Sequence, residues 1–151
     1  MRIYLDTCCY NRPFDDQRQP RIRLEAEAVR AILRMVKLNS LQLVGGDALT
    51  FEVSRISDAR RRDACDSMMA AVSHRVASSA RLERETERLI SLGFRAMDAT
   101  HLASAIHAKC AYFFTVDDVL LRVAARQSSI LPCLVTNPAV WLLGRIEVNP
   151  Q

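Results

Sequence analysis

Apolar residues fall along this chain in two alternating rhythms, short continuous runs and longer stretches of helical spacing. Residues 2–6, RIYLD, form a nearly unbroken apolar run ending on an acid, as in a strand buried on both faces. After the polar stretch PFDDQRQP (13–20), Ile22, Val29, Ile32, Leu33 and Val36 recur at the spacing of a long amphipathic helix. LQLVGG (41–46) reads as a second strand, and Asp47 is placed to cap a helix through DALTFEVSRI. SDARRRDACDSMMAAV predicts another helix, capped by Ser57 or Asp58, and RVAS (75–78) a weak third strand. Leu82, Thr86, Leu89 and Ile90 mark a helix that stops at Gly93. AMDATHLASAIHAKC continues as helix, AYFFTVDD is the clearest strand signal, and DVLLRVAARQ returns to helix. LPCLVTNP predicts a last strand and AVWLLG a short terminal helix. Strands alternating with helices predict an α/β fold, a three-layer α/β/α sandwich around a central parallel sheet of four to five strands. With no repeat, low-complexity segment or linker, residues 1–151 are expected to form a single domain.

Composition narrows the function classes. Half the residues are hydrophobic and 25% are charged, as in an ordinary globular chain rather than a disordered one. No apolar stretch approaches the roughly 20 residues a membrane span needs. The N-terminus starts directly in a strand-like run without a signal-peptide pattern, so a cytoplasmic protein is expected. The net charge of +4 is mild and favours a polyanionic partner such as RNA or DNA. The five cysteines (Cys8, Cys9, Cys65, Cys110, Cys133) are odd in number and scattered, with no C-x-x-C. That argues against a disulfide framework and against a zinc site. Cys8 and Cys9, if extended, point to opposite faces and chelate one ion poorly. Small buried or half-buried side chains are the expected role.

The candidate chemistry lies in acids. In an open α/β sheet, ligands sit outside the carboxyl ends of the strands near a topological switch point. Asp6 ends the first strand and Asp117 the fourth, so they converge if those strands are neighbours. Glu52 stands in the apolar helix context LTFEVSRI, and Asp98 near the start of AMDATHLASA. An acid on an apolar face must be solvated, paired or bound to a metal. Several acids together raise one another's pKa unless a cation sits among them. Oxygen donors without a His/Cys cluster suit Mg²⁺ or Mn²⁺.

YLDTCCYNRPFDD, LTFEVSR and AMDATHLASAIHAKCAYFFTVDDVLL, in that order and at domain-like spacing, resemble a PIN-domain protein over nearly the whole chain. The PIN family consists of metal-dependent ribonucleases and includes the VapC-type toxins of bacterial toxin–antitoxin pairs. The resemblance implies a PIN-like fold and a catalytic set of Asp6, Glu52, Asp98 and Asp117. Asp6, Asp98 and Asp117 then ligate one or two Mg²⁺ or Mn²⁺ ions. Thr115 matches the family's Thr in T-x-D, and Asp118 supplies a further carboxylate or caps the next helix. The implied reaction is hydrolysis of RNA by a metal-activated water, with no covalent protein nucleophile. A cognate antitoxin and a homodimer are the implied partners, with the 22–38 helix and AVWLLG as candidate contact surfaces.

Around these acids, His101 lies at i+3 from Asp98 and is placed to hydrogen-bond a site carboxylate or reach the substrate. Thr7 and Thr115 are placed to orient a carboxylate or a water. Arg60, Arg61 and Arg62 form a basic cluster, either a helix face balanced by Asp58, Asp63 and Asp66 or a phosphate-tracking rim for RNA. With 6% aromatics, no base-stacking platform is evident. The main alternative is a catalytically silent PIN-like module that binds RNA or protein. A dehalogenase-type phosphatase would want D-x-D where this chain has Asp6-Thr7-Cys8. A thiol redox protein would lose its activity on alkylation of the cysteines.

Overall fold

The computed structural model describes residues 1–148. It contains a five-stranded parallel sheet flanked by helices, as the alternation of strand and helix patterns predicts. The strands are β1 (Arg2–Leu5), β2 (Gln42–Gly46), β3 (Val72–Val76), β4 (Tyr112–Phe114) and β5 (Leu134–Thr136). The helices are α1 (Thr7–Asn11), α2 (Pro20–Lys37), α3 (Asp47–Ser54), α4 (Ala59–Met69), α5 (Ala80–Ser91), α6 (Ala96–His107), α7 (Asp118–Arg126) and α8 (Pro138–Val148). The strand order is β3-β2-β1-β4-β5. The chain therefore winds outward from β1 through β2 to β3, then crosses back to place β4 on the other side of β1. The switch point lies between β1 and β4, where parallel sheets leave a crevice at their carboxyl ends.

The central strands carry the apolar runs because both faces are covered. Ile3, Tyr4 and Leu5 of β1 are completely buried, as are Leu43 and Val44 of β2 and Phe113 and Phe114 of β4. The Tyr4 and Phe113 rings stack across the β1–β4 pair, with centroids 5.4 Å apart. Gly46 ends β2 without a side chain because a Cβ there would stand 3.2 Å from the Val76 carbonyl oxygen and 3.4 Å from Ser104 Oγ. That close approach seats α6 over the end of β2. Gly93 follows α5 with φ +109°, the left-handed geometry expected for a helix C-cap.

The structure departs from the sequence pattern in three places. The third strand spans Val72–Val76 rather than 75–78. It lies at the sheet edge, so its VSHRV pattern alternates exposed and covered positions instead of running apolar throughout. The fourth strand is only three residues long, and Thr115-Val116-Asp117 already leads into the next helix. The segment after β1 is helical, not extended: Asp6 caps α1, its side chain accepting from Thr7 N–H. Cys8 and Cys9 therefore differ by one helical step, with Cys9 buried and Cys8 half-buried. All five cysteines are free and at least partly buried, as expected. Among the described residues no helix is long and apolar enough to cross a membrane.

Candidate active site

The register of β1 and β4 brings the strand-end acids together. Leu5 pairs with Phe114, so Asp6 emerges beside Thr115. Asp6 is 5% exposed, and both of its carboxylate oxygens are held. Oδ1 accepts from Thr7 N–H at 2.8 Å, and Oδ2 accepts from the Thr115 hydroxyl at 2.8 Å. The Cys8 thiol donates to the same Oδ2 at 3.3 Å. Thr115 Oγ1 in turn accepts from the Asp117 backbone N–H at 3.2 Å. A buried threonine thus links Asp6 at the end of β1 to Asp117 at the start of α7.

Asp117, not Asp118, faces this centre. Asp117 caps α7: its Oδ1 accepts from Val119 and Leu120 N–H at 2.8 and 3.2 Å. Its Oδ2 lies 3.6 Å from the exposed Arg95 guanidinium. Asp118 is the first residue of α7 and turns outward to pair with Arg21 at 2.7 Å. The bond to Arg21 holds its carboxyl below the usual range.

Glu52 comes from α3 and Asp98 from the first turn of α6. Glu52 Oε1 accepts from the Thr7 hydroxyl at 3.0 Å and bonds His101 Nε2. Its carboxyl is held below the usual range, chiefly by the His101 bond and against the opposing effect of burial. Glu52 makes no pair with Arg55, which instead lies over the Phe51 ring. Asp98 makes no such bonds. Burial, followed by the charges of Asp6 and Asp117, raises its pKa from 3.8 to about 6, with Arg95 and His101 opposing. The first three acids expected at the site and Asp117 are therefore drawn to one end of the sheet from four separate segments.

His101 is completely buried, and its Nδ1 bonds the Tyr4 hydroxyl at 2.8 Å. Asp6, Glu52 and His101 each present a ligand-type atom within 4.8 Å of the others, a group able to hold a metal ion. The donor set of the wider centre, carboxylates with one unneutralised and raised in pKa, fits a hard divalent cation.

The basic cluster divides. Arg61 is committed inside the fold, bonding Asp15 at 3.0 Å and the Phe14 carbonyl at 2.7 Å. Arg62 donates to the Ile56 carbonyl at 3.0 Å. Arg60 is exposed. Three participants carried no sequence signal for the site. Tyr4 reads as core because it is core, Arg95 is the extended residue just before α6, and Cys8 reads as filler. Only the spacing of Asp6-Thr7 as a helix cap would have placed Cys8 against Asp6.

No family model matches the chain, and no curated protein is similar to it in sequence. Solved structures do match. VapBC2 from Rickettsia felis, bound to a DNA fragment from its promoter, aligns with a TM-score of 0.61 at 12% identity, covering 91% of this chain and 98% of that one. FitAB bound to the IR36 DNA fragment aligns with a TM-score of 0.59 at 17% identity, covering 91% of this chain and 95% of that one. At these identities the likeness is one of fold.

Proposed function

We propose that this chain, a VapC-like PIN fold with an acidic centre at its switch point, is a single-domain cytoplasmic endoribonuclease dependent on Mg²⁺ or Mn²⁺. The observation that carries the reading is the convergence of Asp6, Asp98 and Asp117 at the switch point, where burial first, and the charges of Asp6 and Asp117 after it, push the Asp98 carboxyl up to about 6. Like charges in a half-buried site are unfavourable until a cation joins them. Asp6, Asp98 and Asp117 would hold the ion, and Glu52 would position water. One or two bound divalent ions supply an activated water and neutralise charge on the phosphodiester.

The remaining roles belong to the chain itself. Thr7 and Thr115 fix the carboxylates through the bonds described above. Asp117 keeps Oδ1 on the α7 backbone, leaving Oδ2 for the ion. Arg95 is an exposed cation at the lip of the site, suited to a substrate phosphate, and Arg60 extends the basic rim. Arg61 and Arg62 contribute through the shape of the rim rather than as free phosphate contacts. An antitoxin partner and a homodimer belong to the same proposal. The VapBC2 and FitAB likenesses support the first, and the exposed apolar residues Val140, Leu143 and Ile146 of α8 support a protein contact.

The test is incubation with total cellular RNA and Mn²⁺, comparing the wild type with Asp98→Asn. Cleavage by the wild type alone is expected; equal cleavage by both would refute the assignment. One observation favours a silent binding module instead: Glu52 Oε1 is already held inside the protein by His101 and Thr7. Calorimetric titration of Mn²⁺, with Asp6→Asn as control, separates the two, since a silent module need bind no ion.

A further inference from the structure

We infer that His101 is not an ion ligand but a positioning residue, which with Tyr4 and Thr7 clamps one oxygen of Glu52 and leaves the other for the reaction centre. The inference rests on the nuclease reading for what Glu52 does, and on geometry for how it is held. Glu52 Oε1 accepts both from Thr7 Oγ1 at 3.0 Å and from His101 Nε2. Among the described residues nothing donates to Oε2. A carboxylate can only accept, so the hydrogen bond requires the proton on Nε2. The other ring nitrogen is occupied too: Nδ1 bonds the Tyr4 hydroxyl at 2.8 Å in a fully buried setting.

This leaves no free lone pair on the ring. Coordination through Nε2 would require moving its proton to Nδ1 and breaking the Glu52 bond. Coordination through Nδ1 would break the Tyr4 bond and turn a ring that is completely buried. The proximity of Asp6 Oδ1 to Nε2, 4.0 Å, then reflects the crowding of the centre rather than a shared ion. Tyr4 is itself locked in β1 by stacking on Phe113. The chain Tyr4–His101–Glu52 therefore transmits the rigidity of the sheet to a carboxylate on α3, much as outer partners orient ligands in metal sites.

The test combines imidazole ¹⁵N spectra of the full chain, metal-free and with Mg²⁺, and Mn²⁺ affinity of three variants. His101 is expected to keep a protonated Nε2 in both states. Loss of that proton on adding Mg²⁺, or its absence in the metal-free protein, would overturn the inference. His101→Leu is expected to weaken Mn²⁺ binding about tenfold. His101→Gln, which restores a donor near the Nε2 position, is expected to stay within about threefold of the wild type. Tyr4→Phe keeps the ring packing and the Glu52 bond that holds the proton on Nε2, and is expected to weaken Mn²⁺ binding less than His101→Leu. Equal losses in His101→Gln and His101→Leu, with both variants folded by circular dichroism, would make His101 a ligand. A wild type that binds no Mn²⁺ would sink the nuclease reading, and with it any reactive role for Oε2. The metal-free spectrum decides the clamp independently.

Discussion

The Cys8 sulfur lies 3.3 Å from Asp6 Oδ2 and 3.3 Å from Thr115 Oγ1, inside the acidic centre rather than beside it. It also accepts from the Val116 N–H at 3.4 Å, so one thiol touches the ends of both central strands. This changes how a thiol test must be read. Alkylating every cysteine no longer separates redox chemistry from hydrolysis, because an adduct on half-buried Cys8 would crowd Asp6. Cys8→Ser is the cleaner variant. It should keep Mn²⁺ affinity within about threefold, whereas iodoacetamide on the wild type should weaken it by about tenfold, the scale seen when a ligand's supporting contacts are disturbed. Calorimetry on the two samples checks this. Loss of binding in Cys8→Ser would make the thiol a ligand.

Asp98 couples stability to pH. Its pKa is raised from 3.8 to about 6, so the fold favours the protonated form. The associated stability is complete below about pH 3.8 and is lost as pH rises through 6. At pH 8 the metal-free protein therefore carries a repulsive charge that Asp98→Asn removes. The variant should be more stable by about 1 kcal/mol after allowing for solvent screening, or about 2–4 °C in Tm. The gain should vanish near pH 4, and Mn²⁺ should no longer raise the melting point. In the wild type, Mn²⁺ affinity should fall as pH drops through 6. Thermal melts with and without metal across this range test all of these points.

Asp117 and Asp118 should separate cleanly. Asp117→Ala loses both the α7 cap, about 1 kcal/mol, and the ion. Asp117→Asn retains a capping oxygen, so it should regain most of the stability but none of the metal affinity. Asp118→Ala removes an exposed, solvent-screened pair with Arg21 and should leave the urea midpoint nearly unchanged, with Mn²⁺ binding unchanged. Urea melts paired with calorimetry would expose an inverted assignment.

Glu25 is the acid that the sequence pattern hides. It is 2% exposed and accepts from Arg12 at 2.7 Å, Arg21 at 2.8 Å and Asn137 at 2.7 Å. Asn137 also caps α8 through Ala139 N–H, so the cluster ties the turn after α1 and the start of α8 to α2. Glu25→Ala leaves half-buried Arg12 and Asn137 without their acceptor and should destabilise the chain by about 1–3 kcal/mol, read as a lower urea midpoint. A neutral result would mean that water replaces the carboxylate.

Arg60 and Arg61 should differ in kind. Arg60→Gln should lower the salt dependence of RNA binding by about one phosphate contact and leave stability alone. Arg61→Gln should lower stability through its bonds to Asp15 and Phe14. Filter binding across a salt series, beside thermal melts, distinguishes them, and identical behaviour would contradict the division.

Local pattern was enough for the α/β order of elements, the parallel sheet and the strand-end position of Asp6, because buried parallel strands need continuous apolar runs. It was also enough to mark Glu52 and Asp98, since acids on apolar helix faces stand out against their neighbours. It failed at β3, where an edge strand needs burial on alternate residues only, and at α1, whose five residues are too few to show a helical period. What only the tertiary structure decided was adjacency. The β1–β4 register set Thr115 on Asp6 and α1 brought Cys8 to it, while the cap of α7 fell to Asp117 rather than Asp118, which pairs with Arg21. The packing of α6 against β1 and α3 joined Tyr4 to His101, 97 residues away in sequence, and His101 to Glu52. A residue's period in the sequence reports which face it is on. Its partner across a sheet depends on the register of segments that the chain brings together only on folding.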